Sequence, residues 1–227
     1  MAPINQPLSP NECRKLEEHG WVFTQCKADD AEAFAHAVLM LGRFLGIPTT
    51  TRSRSLVDRL SPLPADDARP RSLSRMSGTG QQSWHMDMAH RMVPARYLVM
   101  GMHKCPTETA NTELLDASTM IPKALQAGAL SEPFLVRTGA RSFYATMRAK
   151  GQPFVRFDPG CMQGTTPRGD ALMHQLSNQS LTPTHIHRWA PGSVLVIDNW
   201  KMFHRRTDAT TSINRTLYRV SVMGGTA

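Results

Sequence analysis

Two side chains that commonly bind metals stand two positions apart in the stretch QQSWHMDMAH. Side chains alternate across a β-strand, so His85 and Asp87 would share one face while Trp84, Met86 and Met88 share the other. Such a strand would present a polar face to a cavity and an apolar face to the core. An imidazole and a carboxylate on one face provide two ligands for a divalent metal ion.

One further imidazole would complete a set of two histidines and one carboxylate. That set leaves three adjacent positions of an octahedral ion open and suits non-haem Fe(II). We predict that His204 provides the third ligand. It lies in APGSVLVIDNWKMFHRR, where the predicted strand SVLVID ends in the turn Asp198-Asn199 and the histidine follows.

A closing strand in NRTLYRVSV carries two arginines near the predicted metal ligands. Arg215, Leu217 and Arg219 would share one strand face, so two guanidinium groups would point the same way. Two neighbouring cations need an anion, and a buried dicarboxylate would provide it through bidentate pairing.

The motifs WHMD, NTELLDAS, PGSVLVIDNWKMFHRRT and NRTLYRV together resemble the Fe(II)/2-oxoglutarate-dependent dioxygenases of the taurine dioxygenase and clavaminate synthase type. They occur in the family's order and span roughly residues 73–223. The resemblance implies an α+β, mainly β fold with a double-stranded β-helix core, a cupin-like jelly roll with flanking helices. It also implies iron bound by His85, Asp87 and His204.

The same resemblance implies a co-substrate and a reaction. 2-Oxoglutarate would chelate the iron through its keto acid end, while its far carboxylate would pair with Arg215 and accept a hydrogen bond from Thr112. O2 would be the third cofactor, and an unactivated C–H bond would be hydroxylated with release of succinate and CO2. Asp87 argues against halogenation, because halogenating relatives have a small residue at that position.

The substrate is predicted only by class. Arg219 matches an arginine that in relatives lines the site or contacts an anionic substrate group, and Arg206 is a further basic residue nearby. These residues favour a small anionic or amino-acid-like metabolite. His90 would either line the substrate entrance or lie on the surface.

Two other interpretations stay open. A non-catalytic, basic jelly-roll module could bind nucleic acid or protein, since the formal net charge is +8. Its basic residues gather in TRSRSLVDR and RPRSLSR, which also contain Pro and Ser, so a solvated surface is the simpler account. A cupin-type metalloenzyme that uses no keto acid is the second, but it would not need Arg215.

Two other features need separate interpretation. His185 and His187 could bind metal in a cupin-like way, although a half-exposed strand pair is favoured. Arg156, in VRFDPG, would meet Asp158, Asp116 or a substrate carboxylate, because an unpaired buried cation is costly.

The elements that must position these residues form one predicted domain over residues 1–227. Residues 1–48 would be a helical support: the capping box SPNE begins one helix, WVFTQC forms a strand, and an Asp pair caps a second helix that ends before the proline of GIPTT. Residues 49–80 are rich in Ser, Thr, Pro and Arg and predict a flexible loop, either a flap near the site or plain disorder. Residues 81–223 would form the jelly-roll core.

Short β-type runs recur through that core, interrupted by helical inserts near 117–127 and 168–178. The predicted strands are SWHMDM, RYLVMGMH, TELLD, PFLVRT, PFVRFD, HIHRW, SVLVID and TLYRVSV. We find no secretory signal, no apolar run that could span a bilayer, and no CxxC pair among the four cysteines. We therefore expect a cytoplasmic protein with reduced thiols and a small-molecule substrate. No membrane partner is expected, nucleic acid is disfavoured, and a homo-oligomer could supply a lid from a neighbouring subunit.

Overall fold

The computed structural model of the protein describes residues 8–51, 53–70, 72–139 and 141–224. The chain has an α+β fold with antiparallel sheets. Its helices are α1 (Pro10–His19), α2 (Ala31–Leu45), α3 (Leu73–Ser77), α4 (Ala117–Met120), α5 (Gln126–Ser131) and α6 (Pro167–Asn178). Its strands are β1 (Trp21–Gln25), β2 (Gly46–Thr49), β3 (Asp58–Leu60), β4 (Tyr97–Met102), β5 (Thr112–Asp116), β6 (Phe134–Thr138), β7 (Arg141–Ala145), β8 (Met162–Gly164), β9 (His185–His187), β10 (Ser193–Asp198), β11 (Met202–Arg206) and β12 (Leu217–Gly224).

The strands form one large sheet and two small ones. The large sheet has the order β1-β10-β4-β12-β2, and β3 also pairs with β12. A three-stranded sheet has the order β11-β5-β9, and another has the order β7-β6-β8. None of the described helices is long and apolar enough to cross a membrane.

Alternate side chains of the large sheet belong to two different cores. On one face, Val99, Val194 and Val220 pack with Phe34 and Val38 of α2. Successive side chains of a strand point to opposite faces of the sheet, and both faces of this sheet are buried. The helices α1 and α2 therefore cover the outer face of the large sheet.

The opposite face of the large sheet packs against the β11-β5-β9 sheet. Leu98, Leu195 and Leu217 of the large sheet belong to one buried cluster with Leu114 of β5 and Met202 of β11. The two sheets therefore lie face to face. The side chains that point into the space between them include every second residue of β5, β11 and β12.

A third layer covers the other side of the β11-β5-β9 sheet. There, Leu115 and Phe203 join a buried cluster with Phe134 and Val136 of β6 and Leu176 of α6. This layer is built from the β7-β6-β8 sheet and α4 to α6. It buries the back of the strands that carry Thr112 and His204.

Several elements expected from the sequence are present. Ser9 and Glu12 form the predicted capping box at the start of α1, and Gly20 ends that helix in a left-handed conformation. TELLD and SVLVID coincide with β5 and β10, and the predicted helical insert RGDALMHQLSN lies within α6. These elements could be predicted because their capping and hydrophobic patterns are local and do not depend on tertiary contacts.

Three local predictions are wrong. SWHMDM is not a strand: His85 makes only an isolated bridge to His204, and the backbone turns directly afterwards, with Met88 at a φ of 59°. PFVRFD is also irregular. The segment 49–80 is not simply a loop, because it contains β3, a short 3-10 turn and α3. A further strand, β11, was not predicted and carries His204.

Two glycines allow α2 to lie very close to the large sheet. A Cβ atom on Gly101 of β4 would lie 2.8 Å from the ring of Phe34 and 2.9 Å from Val38. A Cβ atom on Gly42 of α2 would lie 2.7 Å from Val220. The close approach of helix and sheet therefore depends on the missing side chains at these positions.

We expect Gly101→Ala to lower the free energy of unfolding by about 1–3 kcal/mol, because overpacking forces the neighbouring side chains to move. Urea denaturation would measure the loss. Gly128→Ala, within α5, is the matched control. Its new Cβ would lie 3.4 Å from Leu172 of α6, which is an ordinary van der Waals contact. Alanine also favours a helix over glycine, so this variant should be neutral or slightly stabilised. An equal loss in both variants would contradict the packing argument.

Candidate metal and co-substrate site

The structure brings His85, Asp87 and His204 together, with one ligand atom of each within 4.8 Å of the others. Nε2 of His85 lies 3.7 Å from Oδ1 of Asp87, and Nε2 of His204 lies 3.9 Å from Oδ2. These separations are longer than hydrogen bonds. The three side chains therefore surround a common point instead of bonding one another, which is the arrangement that a metal ion requires.

Backbone pairing sets the spacing of the two imidazoles. The N–H of His85 donates to the carbonyl of His204 at 3.2 Å, and the N–H of His204 donates back at 3.0 Å. Nδ1 of His85 lies 3.0 Å from the carbonyl oxygen of Ser83. That contact directs Nε2 toward Asp87, as outer hydrogen bonds do for metal-binding histidines.

A buried amide holds the peptide of Asp87. Oδ1 of Asn199 accepts from the N–H of Asp87 at 2.9 Å, and Nδ2 donates to its carbonyl at 3.0 Å and to that of Ala95 at 2.8 Å. The turn before β11 thus fixes the irregular segment that carries the carboxylate. The sequence indicates Asn199 only as a turn residue, and its place in the motif DNWKMFH is the one signal of this larger role.

The protonation states suit metal binding. Burial would raise the pKa of Asp87, but the charge of Arg219 and the two nearby histidines hold it at about 2. Burial lowers the pKa of His204 to about 3, and His85 acts in the same direction. At neutral pH the site therefore presents an ionised carboxylate and a neutral imidazole at His204, the forms that act as metal ligands.

Arg215 occupies another part of the same cavity and is buried, with 5% of its surface exposed. One terminal nitrogen donates to the carbonyl of Ala110, and Nε has no partner. Among the described residues, no carboxylate lies within ion-pair distance of Arg215. Desolvation and the nearby charge of Arg206 lower its pKa to about 10. Within the described part of the chain, this buried cation therefore has no anionic partner.

Thr112 lies across the sheet from Arg206 and also lines the cavity. Its hydroxyl oxygen accepts a hydrogen bond from Nε1 of Trp189 at 3.1 Å. A hydroxyl that accepts in this way still has its own proton to donate. The arrangement leaves Thr112 able to donate to an anion in the cavity.

Arg219 differs most from expectation. Its Nη1 donates to Oδ2 of Asp87 at 2.6 Å, and its Nη2 donates to Oδ2 of Asp58 at 2.9 Å. Arg215, Leu217 and Arg219 do not share one strand face as predicted, because β12 begins at Leu217 and Arg215 precedes it, but all three line one cavity. However, the two guanidinium groups do not share one anion, because Arg219 is matched by carboxylates of the protein itself.

The remaining predicted substrate residues have different positions. Arg206 is buried and donates to the carbonyls of Gly78 at 2.8 Å and Gly80 at 2.6 Å, so it fixes the turn after α3. His90 lies on the cavity wall. The cavity has a volume of about 600 Å³, and much of its wall comes from residues 51, 53, 58–63, 68–69 and 72–74.

Comparisons with known proteins agree with this geometry. A family model described as "Taurine catabolism dioxygenase TauD, TfdA family" matches residues 131–221, which contain His204, Arg215 and Arg219. The predicted family resemblance is confirmed. The sequence predicts a dioxygenase that uses Fe(II), 2-oxoglutarate and O2. The matched family model is described as a dioxygenase, in agreement with that prediction.

Solved structures share the fold at low sequence identity. An asparagine oxygenase in complex with Fe(II), 2S,3S-3-hydroxyasparagine and succinate has a TM-score of 0.75 and 17% identity, covering 94% of this chain and 78% of that one. A taurine dioxygenase from Burkholderia xenovorans has a TM-score of 0.68 and 18% identity, covering 98% and 84%. The non-heme iron oxygenase OrfP in complex with Fe and alpha-ketoglutaric acid has a TM-score of 0.67 and 16% identity, covering 95% and 78%. A comparison with curated proteins gives no match.

Two further arginines, Arg156 and Arg205, brace this candidate metal site. Arg156 does not form the expected ion pair; its guanidinium donates to the carbonyls of Ala89, Arg91 and Met92 and so fixes the turn after Asp87. Backbone carbonyls satisfy this buried cation, which is why it needs no acid.

The second brace lies on the other face of β11. Arg205 donates to a carboxylate oxygen of Glu113 at 2.6 Å, and its guanidinium lies 4.1 Å from the ring centroid of Trp84. Because Trp84 and Arg205 are the chain neighbours of His85 and His204, this cation–π contact ties the two histidine segments together.

His185 and His187 are not part of the metal cluster found among the described residues. The ring of His185 stacks on Trp21 at 3.7 Å, and Nε2 of His187 lies 3.1 Å from the hydroxyl oxygen of Ser193. His187 is buried, so the expected half-exposed pair is only partly right. Burial lowers the pKa of His187 to about 4, with His185 adding to the effect.

This shift predicts a pH-dependent contribution to stability. An unfolded histidine titrates near 6.5, so between pH 6.5 and 4 the unfolded chain binds more protons than the folded one at His187. Stability should therefore fall as the pH drops through this window. Between pH 7 and pH 4, we expect the free energy of unfolding to fall by about 3 kcal/mol less in His187→Gln than in the wild type.

Urea denaturation at several pH values would measure the difference. His174→Gln, at an exposed position of α6, is the control and should follow the wild-type profile. A wild-type profile for His187→Gln would show that burial of this imidazole does not carry the dependence.

Proposed function

We propose that the protein is an Fe(II)- and 2-oxoglutarate-dependent oxygenase that hydroxylates an unactivated C–H bond of a small, amino-acid-like metabolite. One observation carries the proposal: three metal-ligating side chains and a buried arginine without a carboxylate partner open into the same cavity. The first group calls for a cation and the second for an anion. A metal chelated by a dianionic keto acid satisfies both.

His85, Asp87 and His204 would hold the iron. The fit rests on their donor chemistry, since two imidazoles and an ionised carboxylate converge without bonding one another. A facial set of this kind leaves room for a chelating co-substrate and O2. When bound, the iron supplies the activation of O2 that C–H hydroxylation requires.

Arg215 and Thr112 would bind the far carboxylate of 2-oxoglutarate. The guanidinium contributes a charge that no described carboxylate neutralises, and the Thr112 hydroxyl contributes a proton once its oxygen has accepted from Trp189. Charge-assisted hydrogen bonds of this type are about twice as strong as neutral ones. Binding at this end would orient the keto acid toward the metal ligands.

The cavity would position the substrate and limit its hydration. A volume of about 600 Å³ lies within the range of small-molecule sites and can take a co-substrate together with a small metabolite. The asparagine, arginine and taurine named with the similar solved structures motivate an amino-acid-like substrate. Holding a C–H bond at a fixed distance from the reacting centre is the protein's main contribution.

We further propose that the facing sheets form a double-stranded β-helix. The proposal is supported by the antiparallel pairing of both sheets, by the apolar cluster between them and by the likeness to the solved oxygenases. In that arrangement the cavity would be the opening between the two sheets. Thr112 and His204 line it from one sheet, and Leu217 and Arg219 line it from the other.

Anaerobic addition of Fe(II) and 2-oxoglutarate tests the proposal. The wild type should develop the weak visible charge-transfer band of an iron–keto acid chelate. Asp87→Ala should lose iron binding, and with it the band, because one of three ligands is gone. Calorimetry with Mn(II) would measure the metal affinity independently of turnover. Unchanged metal affinity in Asp87→Ala, or a wild type without the band, would refute the assignment.

Arg215→Ala should retain the metal but bind 2-oxoglutarate poorly. Removing one side of a buried ion pair costs about 3–5 kcal/mol, so the concentration needed for half-saturation should rise by a factor of 100 or more. Arg215→Lys keeps the charge but not the planar fork and should fall between the two. Equal 2-oxoglutarate affinity in all three proteins would place the co-substrate elsewhere.

A further inference from the structure

Arg219 is already engaged on two sides by acidic side chains. Its Nη1 donates to Oδ2 of Asp87 at 2.6 Å, and its Nη2 donates to Oδ2 of Asp58 at 2.9 Å. The Asp87 interaction connects Arg219 to the proposed metal ligands. Asp58 is not one of the three clustered metal-ligating residues, so its interaction with Arg219 requires a separate explanation.

Asp58 is held firmly in place. It is buried, with 5% of its surface exposed, and it lies directly across from Arg219 in the β3–β12 pairing. Its Oδ1 accepts hydrogen bonds from the hydroxyls of Thr51 at 2.7 Å and Ser53 at 2.5 Å. Its Oδ2 accepts from Arg219. Strand pairing and three hydrogen bonds keep this carboxylate against the guanidinium.

The Asp58–Arg219 pair makes the cavity less positive than its arginines alone would make it. If Asp87 binds the metal, Asp58 remains to neutralise Arg219. Asp158 adds a further carboxyl group to the wall, and no arginine or lysine of the described residues lies within ion-pair distance of it. Arg215, which has no carboxylate within ion-pair distance among the described residues, is the cation that the co-substrate would occupy.

We propose that Asp58 is a specificity-determining residue that blocks Arg219 from binding an anionic group. The substrate would therefore present an uncharged or cationic group to the Arg219–Asp58 pair, not a carboxylate, sulfonate or phosphate. This inference rests on the proposed function, because it takes the cavity to be the substrate site. It replaces the anionic substrate group expected at Arg219 from the sequence.

The test uses methanesulfonate as a small anionic probe. Calorimetric titrations would be made on the full chain with Mn(II) and saturating 2-oxoglutarate, in the wild type and in Asp58→Asn. The control is Asp66→Asn, which removes the same charge from an exposed residue of the same segment. We expect Asp58→Asn to bind the probe at least tenfold more tightly than the wild type and Asp66→Asn.

The double variant Asp58→Asn/Arg219→Gln locates the new site. It should lose the gained affinity, because the released guanidinium is the proposed receptor. Equal affinity in the wild type and Asp58→Asn would overturn the proposal, and so would a gain that persists in the double variant. If Asp58→Asn does not fold, Thr51→Val/Ser53→Ala loosens the carboxylate without removing it and should show a smaller gain; a folded variant without any gain would also overturn it.

This outcome is separable from that of the proposed function. The same titrations report 2-oxoglutarate binding on its own, before the probe is added. Failure of the co-substrate to bind would refute the proposed function, whereas the affinity for methanesulfonate tests only the role of Asp58.

Discussion

A carboxylate that remains ionised in a buried position is the constraint on which the site depends. Asp87 is surrounded by two imidazoles and by Arg219, and without these neighbours its burial would favour the protonated form. The surrounding structure accordingly restrains its backbone as well as its charge, since Asn199 bonds both sides of its peptide. The facing sheets, the braces behind β11 and the turn fixed by Arg156 all serve to keep this one group oriented.

Much of the framework could be predicted from local sequence. The capping box of α1 and the apolar runs of β5 and β10 identify these elements because propensity, patterning and capping agree. The three residues that converge, His85, Asp87 and His204, were also identified in advance. Their residue types and the surrounding motif carried that prediction, not the assumed strand geometry, which was wrong for the first two.

The remainder depends on contacts between distant parts of the chain. The segment after His85 follows an irregular course that is held by Asn199 and Arg156, and neither interaction leaves a periodic signal. The strand β11 has a polar sequence, MFHRR, and exists because β5 pairs with it. The pairing of Asp58 with Arg219 joins residues separated by most of the chain, within a Ser- and Arg-rich segment whose composition indicates only a loop.

Much of the cavity wall comes from residues 51, 53, 58–63, 68–69 and 72–74, which precede in the sequence the strands that carry His204 and Arg219. This part of the chain contains β3, a short 3-10 turn and the start of α3, and β3 pairs with β12 of the large sheet. Because this part of the wall provides none of the three clustered metal-ligating side chains, substitutions in it can change which compound fits the cavity while those ligands are retained.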